Sequence, residues 1–420
     1  MIEQTEAGSG VSPANVFVAR QPIFGKGRQL EGYELLYRSS ATVGAVGSDD
    51  DQATMGVISA SLIQFGLEKL VGSKRAYINF TEALLQDDTA MMLPPDGIVV
   101  EIPNTISSDS ETVDACRRLK DKGYVLALDN FMFQPAFEQL LGFADIVKVD
   151  FLNAQAVERA KVAQSLISRG VTCLAHRVET YSDCAEAEQL GYTLFQGFFF
   201  CRPSVMAGRS LSTSSMVCLE AFREVCKPEI DFDRVAEIVK RDVSFTYKLL
   251  RFVNSAALGL RTRIHSIKQA LLILGSKESA RWLSLVALRD FGSEKPDELV
   301  MTCIVRARMG ETLAKHVGMR DRASDAFLMG VFSAIDAFVD RPVNEVIADL
   351  PLAQDVQAAL LGEPNPLREL LDMILAYERG DWPVVSGYAG RHHLDKSVVP
   401  DLYVDAIAWA NEFFPDLQSV

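Results

Sequence analysis

An α/β plus all-α architecture, a TIM-like (βα) barrel followed by a helical domain, is the fold class predicted by the 420-residue sequence. Three observations predict it. Short β-rich apolar runs alternate with helical patterns through the first ~200 residues, as parallel βα units do. At Arg202–Ser215, "RPSVMAGRSLSTSS", the strand signals stop and small polar residues cluster, as at a linker. Beyond that point the periodicity is helical almost throughout. At ~100–200 residues per domain such a length calls for two domains, so two cores are expected.

The elements follow in order. Residues 1–15 form a polar lead, expected to be disordered. The strand candidates are "VFVAR", "GYELLYR", "AYINF", "GIVVEI", "YVLALD", "DIVKVD", "TCLAH" and "LFQGFFF", all short runs rich in β-branched and aromatic residues. Between them lie the helix-like stretches "TMGVISASLIQFGLEKL", "SETVDACRRLKDKG", "NAQAVERAKVAQSLISRG" and "DCAEAEQLG". About seven or eight such units make a barrel, placed at residues 16–205. The helical domain takes residues 206–420. In "DVSFTYKLLRFVNS", Ser244 is the expected cap of a helix that aligns Phe245, Leu249 and Phe252 on one face. In "HSIKQALLILGS", Ser266 and Gln269 have capping-box spacing, and Ile267, Ala270, Leu271 and Leu274 form one stripe. Gly275 ends that helix as a C′ residue. The stripe from Trp282 to Leu288 reads as core. "NSAALG" reads as a helix turn in which Asn254 satisfies backbone groups and Gly259 permits a bend. No internal repeat or long heptad run is present.

Composition excludes several classes of function. A net charge of −14 removes the basic footprint that direct nucleic-acid binding needs. No apolar run reaches the ~18 residues of a spanning helix, and the N-terminus lacks the features of a signal peptide. A cytoplasmic protein without membrane insertion is expected. Cys116, Cys173, Cys184, Cys201, Cys218, Cys226 and Cys303 are scattered without a C-x-x-C, so they read as reduced, mostly buried thiols.

In a βα barrel the reactive groups gather where the strands end at one mouth. Nearly every predicted strand contributes a polar residue there: Glu34, Asn79, Glu101, Asp129, Lys148, Asp150, His176, Glu179 and Gln196. Carboxylates that close together require a cation. Oxygen-rich clusters suit Mg²⁺, Mn²⁺ or Ca²⁺, which points to a metal site for a phosphate-bearing ligand. The alternative is that these are rim charges paired with Arg and Lys.

The same segments resemble, in order, the EAL domain, the family of cyclic-di-GMP phosphodiesterases. "RQPIF" resembles the family's opening Q-P-I strand, and "YELLYR" its E-A-L-x-R signature with Leu35 for the alanine. "INF" carries the asparagine, "EIPN" resembles E-x-T-E, "LDNF" D-D-F-G, "VKVD" K-I-D, "AHRVET" A-E-G-V-E-T and "QGFFFCRP" Q-G-Y-x-x-x-x-P. The resemblance runs from about Val16 to Pro203. It implies Glu34, Asn79, Glu101 and Asp129 as metal ligands, if Mg²⁺ or Mn²⁺ is bound. It implies Gln21, Glu34, Leu36, Arg38, Asn79, Lys148, Asp150, Glu179 and Gln196 as ligand-binding candidates for cyclic-di-GMP.

Three functional positions depart from that pattern. His176 replaces the family's general base, Asn130 replaces a ligand of its second metal, and Asn104 replaces the glutamate that holds the metal-governing loop. The family's D-D-F-G glycine is also gone, replaced by Met132. A two-metal hydrolysis needs anionic oxygens for both cations and a base for the water, so these changes favour a catalytically degenerate barrel.

"LLRFVNSAALGL", "IHSIKQALLILG" and the Trp282 helix resemble the HDOD domain, a helical relative of HD-type phosphohydrolases found in bacterial signalling proteins. Its only histidines are His265, His316, His392 and His393, none followed by Asp, so no HD chemistry is expected. Adjacent residues point apart on regular elements, so His392 and His393 read as surface. The combined expectation is a signalling protein whose barrel senses a nucleotide or binds a protein, with output through the helical half to signalling partners. The alternatives are a weak metal-dependent cyclic-di-GMP phosphodiesterase, with His176 as base, and a pure protein scaffold.

Overall fold

The computed structural model describes residues 16–39, 66–131, 138–203, 213–255, 262–293, 295–395 and 397–418. The expected disordered lead, the start of the first barrel helix, Met132 and Gly259 lie outside them.

All eight predicted strands form: β1 (Val16–Phe24), β2 (Leu30–Ser39), β3 (Arg75–Asn79), β4 (Ile98–Ile102), β5 (Val125–Leu128), β6 (Ile146–Asp150), β7 (Thr172–His176) and β8 (Leu194–Gln196). They close into a barrel in sequence order. The expectation of uniformly parallel βα units fails at one strand. β1 runs antiparallel to both β2 and β8, because only a short turn around Lys26–Arg28 joins it to β2. A parallel crossover needs about a dozen residues or more.

That hairpin has a packing consequence. No crossover helix lies between β1 and β2, so the flank that a βα unit would shield is left to the helical half. β8 meets β1 only at Ile23 and Phe24, so the earlier part of β1 is a sheet edge with backbone groups to satisfy. The Tyr377 hydroxyl donates to the Val18 carbonyl at 3.0 Å, and the Arg20 amide donates to the Tyr403 hydroxyl at 3.4 Å. Phe17 packs on Trp382 and Tyr377, with ring centres 5.5 and 6.3 Å away. On the outer face the Arg20 guanidinium lies 4.3 Å over the Tyr33 ring, and the Tyr33 hydroxyl donates to Glu298 at 2.8 Å.

The expectation of two separate cores is therefore corrected. Ile23, Tyr77, Val99, Ala127, Ile146 and Leu174 fill the barrel interior as one small cluster. Among the described residues, a single continuous core runs from the outer face of the barrel, Val18 and Leu35 included, into the helices as far as Phe414.

Helix ends follow local chemistry. The helix Val243–Val253 is capped by Asp242, which accepts from the Phe245 amide at 3.0 Å, and not by Ser244, which lies within its first turn. A carboxylate at this place also faces the positive end of the helix dipole. Ser266 caps as expected, accepting from the Gln269 amide. Gly275 (φ 69°) breaks the helical path, but a second helical run continues to Phe291, so the predicted end is a kink. Trp282 is buried and stacks with Phe245 and Phe252 at 5.2 and 6.0 Å. Asn254 donates to the Leu250 and Ile264 carbonyls and accepts from the Ile264 amide, all within 2.8 Å, the structural role its sequence suggested. All seven thiols are free, with Cys201 and Cys226 only partly buried. No described helix is long and apolar enough to cross a membrane.

Candidate functional site

At the C-terminal mouth of the barrel, neighbouring strands bring alternate inward residues together. Asn79 ends β3 opposite Glu101 of β4, Asp150 ends β6 opposite His176 of β7, and Glu34 of β2 faces Gln21 of β1. Asp129 follows β5 and Gln196 ends β8. Glu101, Lys148 and Gln196 have no solvent exposure at all.

Lys148 is the electrostatic centre. Its ammonium donates to Glu34 at 2.9 Å and to Glu101 at 2.7 Å, and lies 3.5 Å from Asp129. Asn79 Nδ2 bridges the same two glutamates at 3.1 and 2.9 Å. Gln196 Nε2 donates to Glu34 at 2.5 Å and to Gln21 Oε1 at 3.2 Å. Burial alone would raise the Glu34 carboxyl, but Lys148, then His176 and Gln196, hold it down at about 2. Burial first, and then the Glu34 charge, drives the Glu101 carboxyl well above its usual range. Burial would lower the lysine, yet Glu101 and Glu34 keep it charged.

His176 lies beside this cluster. Burial, and then the Lys148 charge, push its imidazole below the ordinary histidine range, so it is neutral near physiological pH. Its Nδ1 is buried without a hydrogen-bond partner, as are Asp129 Oδ1 and Gln196 Oε1. Buried polar atoms of this kind are costly unless something completes them.

The other sequence candidates divide. Asp150 accepts from the Leu152 and Asn153 amides and pairs with Arg177 at 3.1 Å; against the upward push of burial, these partners hold its carboxyl low. Glu179 is 49% exposed, 4.0 Å from Arg202 and outside the cluster. Leu36 packs against Gly380 of the helical half. The Arg38 side chain lies outside the described residues. Asn130 takes a left-handed φ of 48°; its Nδ2 donates to Asp129 Oδ2 at 3.2 Å, and its carbonyl accepts from Asn104 Nδ2 at 3.0 Å. Arg177, where the EAL pattern has glycine, is also left-handed at φ 58°.

Two contributors escaped sequence reasoning. Gly197 (φ 150°) lies so close to the Val178 backbone that any Cβ would overlap it. That close approach sets the end of β8 and hence Gln196. The turn Glu378–Trp382 touches the mouth from far along the chain, with no local signal. Gly197 had one, the Q-G pair itself.

The donor chemistry suits one hard cation. Glu34, Asn79, Glu101 and Asp129 offer oxygens, Asp129 Oδ1 among them with no hydrogen bond and the Lys148 ammonium 3.5 Å away, and three acidic groups share the one ammonium. Beside it, Asn130 presents an amide donor to Asp129, at the position where the EAL resemblance implies a further anionic ligand. Among the described residues no three His, Cys, Asp or Glu side chains form a ready metal cage, in the helical half included. There, His392 lies 2.8 Å from Glu369 and His393 is exposed.

Comparison with known proteins places the chain. The EAL domain family matches residues 73–203 and the HDOD domain family matches residues 211–339. YuxH of Bacillus subtilis, an uncharacterized protein, is 35% identical over 94% of this chain and 98% of its own length. This chain belongs to the EAL–HDOD family. CdgJ of Vibrio cholerae, named as a cyclic di-GMP phosphodiesterase, is 34% identical over 94% of this EAL–HDOD chain and 92% of its own. Among solved structures, Klebsiella pneumoniae BlrP1 in a calcium and cyclic-di-GMP complex is 23% identical, with a TM-score of 0.38, over 47% of this chain and 58% of that one. The cyclic-di-GMP-bound FimX EAL domain of Pseudomonas aeruginosa is 19% identical, with a TM-score of 0.35, over 44% of this chain and 89% of that one. The matched EAL segment of this EAL–HDOD protein begins at 73, after β1 and β2, and the structure adds those strands and Glu34 to the barrel.

Proposed function

We propose that this EAL–HDOD protein is a cytoplasmic cyclic-di-GMP sensor: the barrel, residues 16–205, binds the nucleotide without efficient hydrolysis, and the helical unit, residues 206–420, relays occupancy to protein partners. The carrying observation is Asn130, whose amide donates to Asp129 where a second cation would need an anion. A cation at Glu34, Asn79, Glu101 and Asp129 would supply charge neutralisation at a bound phosphodiester. His176 stands where the EAL resemblance has its general base, and losing an effective general base costs ~10²–10⁴ in rate. The buried atoms of Asp129, His176 and Gln196 that lack a hydrogen bond support a ligand-binding role. Similarity to CdgJ across most of both chains supports cyclic-di-GMP as that ligand. Free thiols fit a reducing compartment.

The same relative favours a second reading, a weak phosphodiesterase that uses one Mg²⁺ or Mn²⁺ and neutral His176 as base. Calorimetric titration of cyclic-di-GMP with Mg²⁺ or Ca²⁺, with assay of the same samples for linear dinucleotide, separates the two. Binding without product supports the sensor, and turnover supports the enzyme. Neither heat nor product refutes both and leaves a protein scaffold.

A further inference from the structure

Among the described residues, the turn Glu378–Trp382 brings the helical half to the barrel mouth. β1 and β2 overhang the mouth, and by strand alternation Phe17, Gln21, Glu34 and Leu36 share the side that faces the barrel axis. The turn lies against that side. A Cβ placed on Gly380 (φ 69°) would come within 3.0 Å of Leu36 Cδ1 and 3.5 Å of its Cβ. Gln21 Nε2 donates to the Glu378 carbonyl at 3.4 Å. The turn is anchored at both ends: at its start Arg306 grips the Glu378 carboxylate at 2.7 and 2.8 Å and the Tyr377 hydroxyl donates to the Val18 carbonyl, and at its end Trp382 packs on Phe17.

Gln21 and Leu36 are therefore committed to two tasks. Each is a candidate contact for a ligand in the mouth, and each is occupied by the turn. We propose that the Glu378–Trp382 turn is an autoinhibitory contact: a nucleotide that engages Gln21 and Leu36 lifts the turn off them and thereby reports occupancy to the helical half. The proposal rests on the sensor reading. The turn-down state lowers apparent affinity by the fraction of molecules in which the mouth is covered. Releasing the turn raises affinity, by the reciprocity of coupled equilibria.

The test uses the full chain and cyclic-di-GMP. Two variants lie outside the ligand set. Tyr377→Phe keeps the ring packing and removes the tie to Val18, and Gly380→Ala adds a methyl at a left-handed position against Leu36. Calorimetry is expected to show both binding about fivefold or more tighter than the wild type. Peptide-resolved hydrogen exchange of the wild type provides a readout independent of variant folding, and amides 378–382 are expected to exchange faster when cyclic-di-GMP is added. Equal or weaker binding by both variants, or slower exchange of the turn with nucleotide, overturns the autoinhibitory contact while leaving the sensor intact. No binding by any of the three proteins overturns the sensor reading and the contact together.

Discussion

Replacing Lys148 with methionine keeps most of the buried side-chain volume but removes the ammonium that Glu34, Glu101 and Asp129 share. The Glu34 carboxyl is held at about 2 against an ordinary 4.5, and at ~1.36 kcal/mol per unit that difference is worth ~3 kcal/mol. Stripping one partner from a buried ion pair costs ~3–5 kcal/mol, so the two routes agree. A depressed carboxyl stabilises the fold above its unfolded pKa, and that contribution is lost as pH falls through the folded value. In Lys148→Met the sign reverses. The carboxylates then face only one another, their folded pKa values rise, and destabilisation is largest at neutral pH and eases towards about pH 5 as they protonate. Urea denaturation followed by circular dichroism at both pH values measures this. Added Mn²⁺ should restore part of the loss at neutral pH by taking the place of the ammonium. A loss below ~1 kcal/mol, or one equal at both pH values, refutes the electrostatic account of Lys148, and no recovery with Mn²⁺ refutes the single-cation fit.

Other outcomes follow from particular residues. His176→Glu combined with Asn130→Asp rebuilds the base and the second anionic ligand, and hydrolysis of cyclic-di-GMP should rise by ~10² or more; a wild type already as fast would contradict degeneracy. Gly197→Ala drives a methyl into the Val178 backbone, so thermal melts should fall and nucleotide binding should be lost; an unchanged melting temperature would show that β8 can shift freely. Asn254→Ala strips three short hydrogen bonds that tie the Leu250 and Ile264 backbones together. It should cost ~1–3 kcal/mol in urea unfolding without altering nucleotide affinity.

Much of this molecule is readable locally. The strands announce themselves as short β-rich runs, and Ser266 and Asn254 act on backbone groups within a few residues of themselves along the chain. The mouth residues were legible because strand ends in a barrel converge whatever their spacing in sequence. The cap at Asp242 was missed by two positions because Asp and Ser both accept from a helix start, and the choice between them depends on where the first turn begins. The exposed place of Glu179 outside the cluster was not legible, since nothing in "AHRVET" tells which side of the chain turns toward solvent.

What the sequence by itself determined, then, is the set of elements, the acids at the mouth and the substitutions His176, Asn130 and Asn104, because these depend on short-range pattern and residue identity. Tertiary structure alone decided that Lys148 neutralises Glu34 and Glu101, although these residues lie 114 and 47 positions away in sequence. It also decided that β1 runs antiparallel, and that Tyr377, 359 positions after Val18, closes its bare edge. Such contacts form where packing leaves a charge uncompensated or a backbone group unpaired, and only the closed barrel and the helices folded against it create those vacancies.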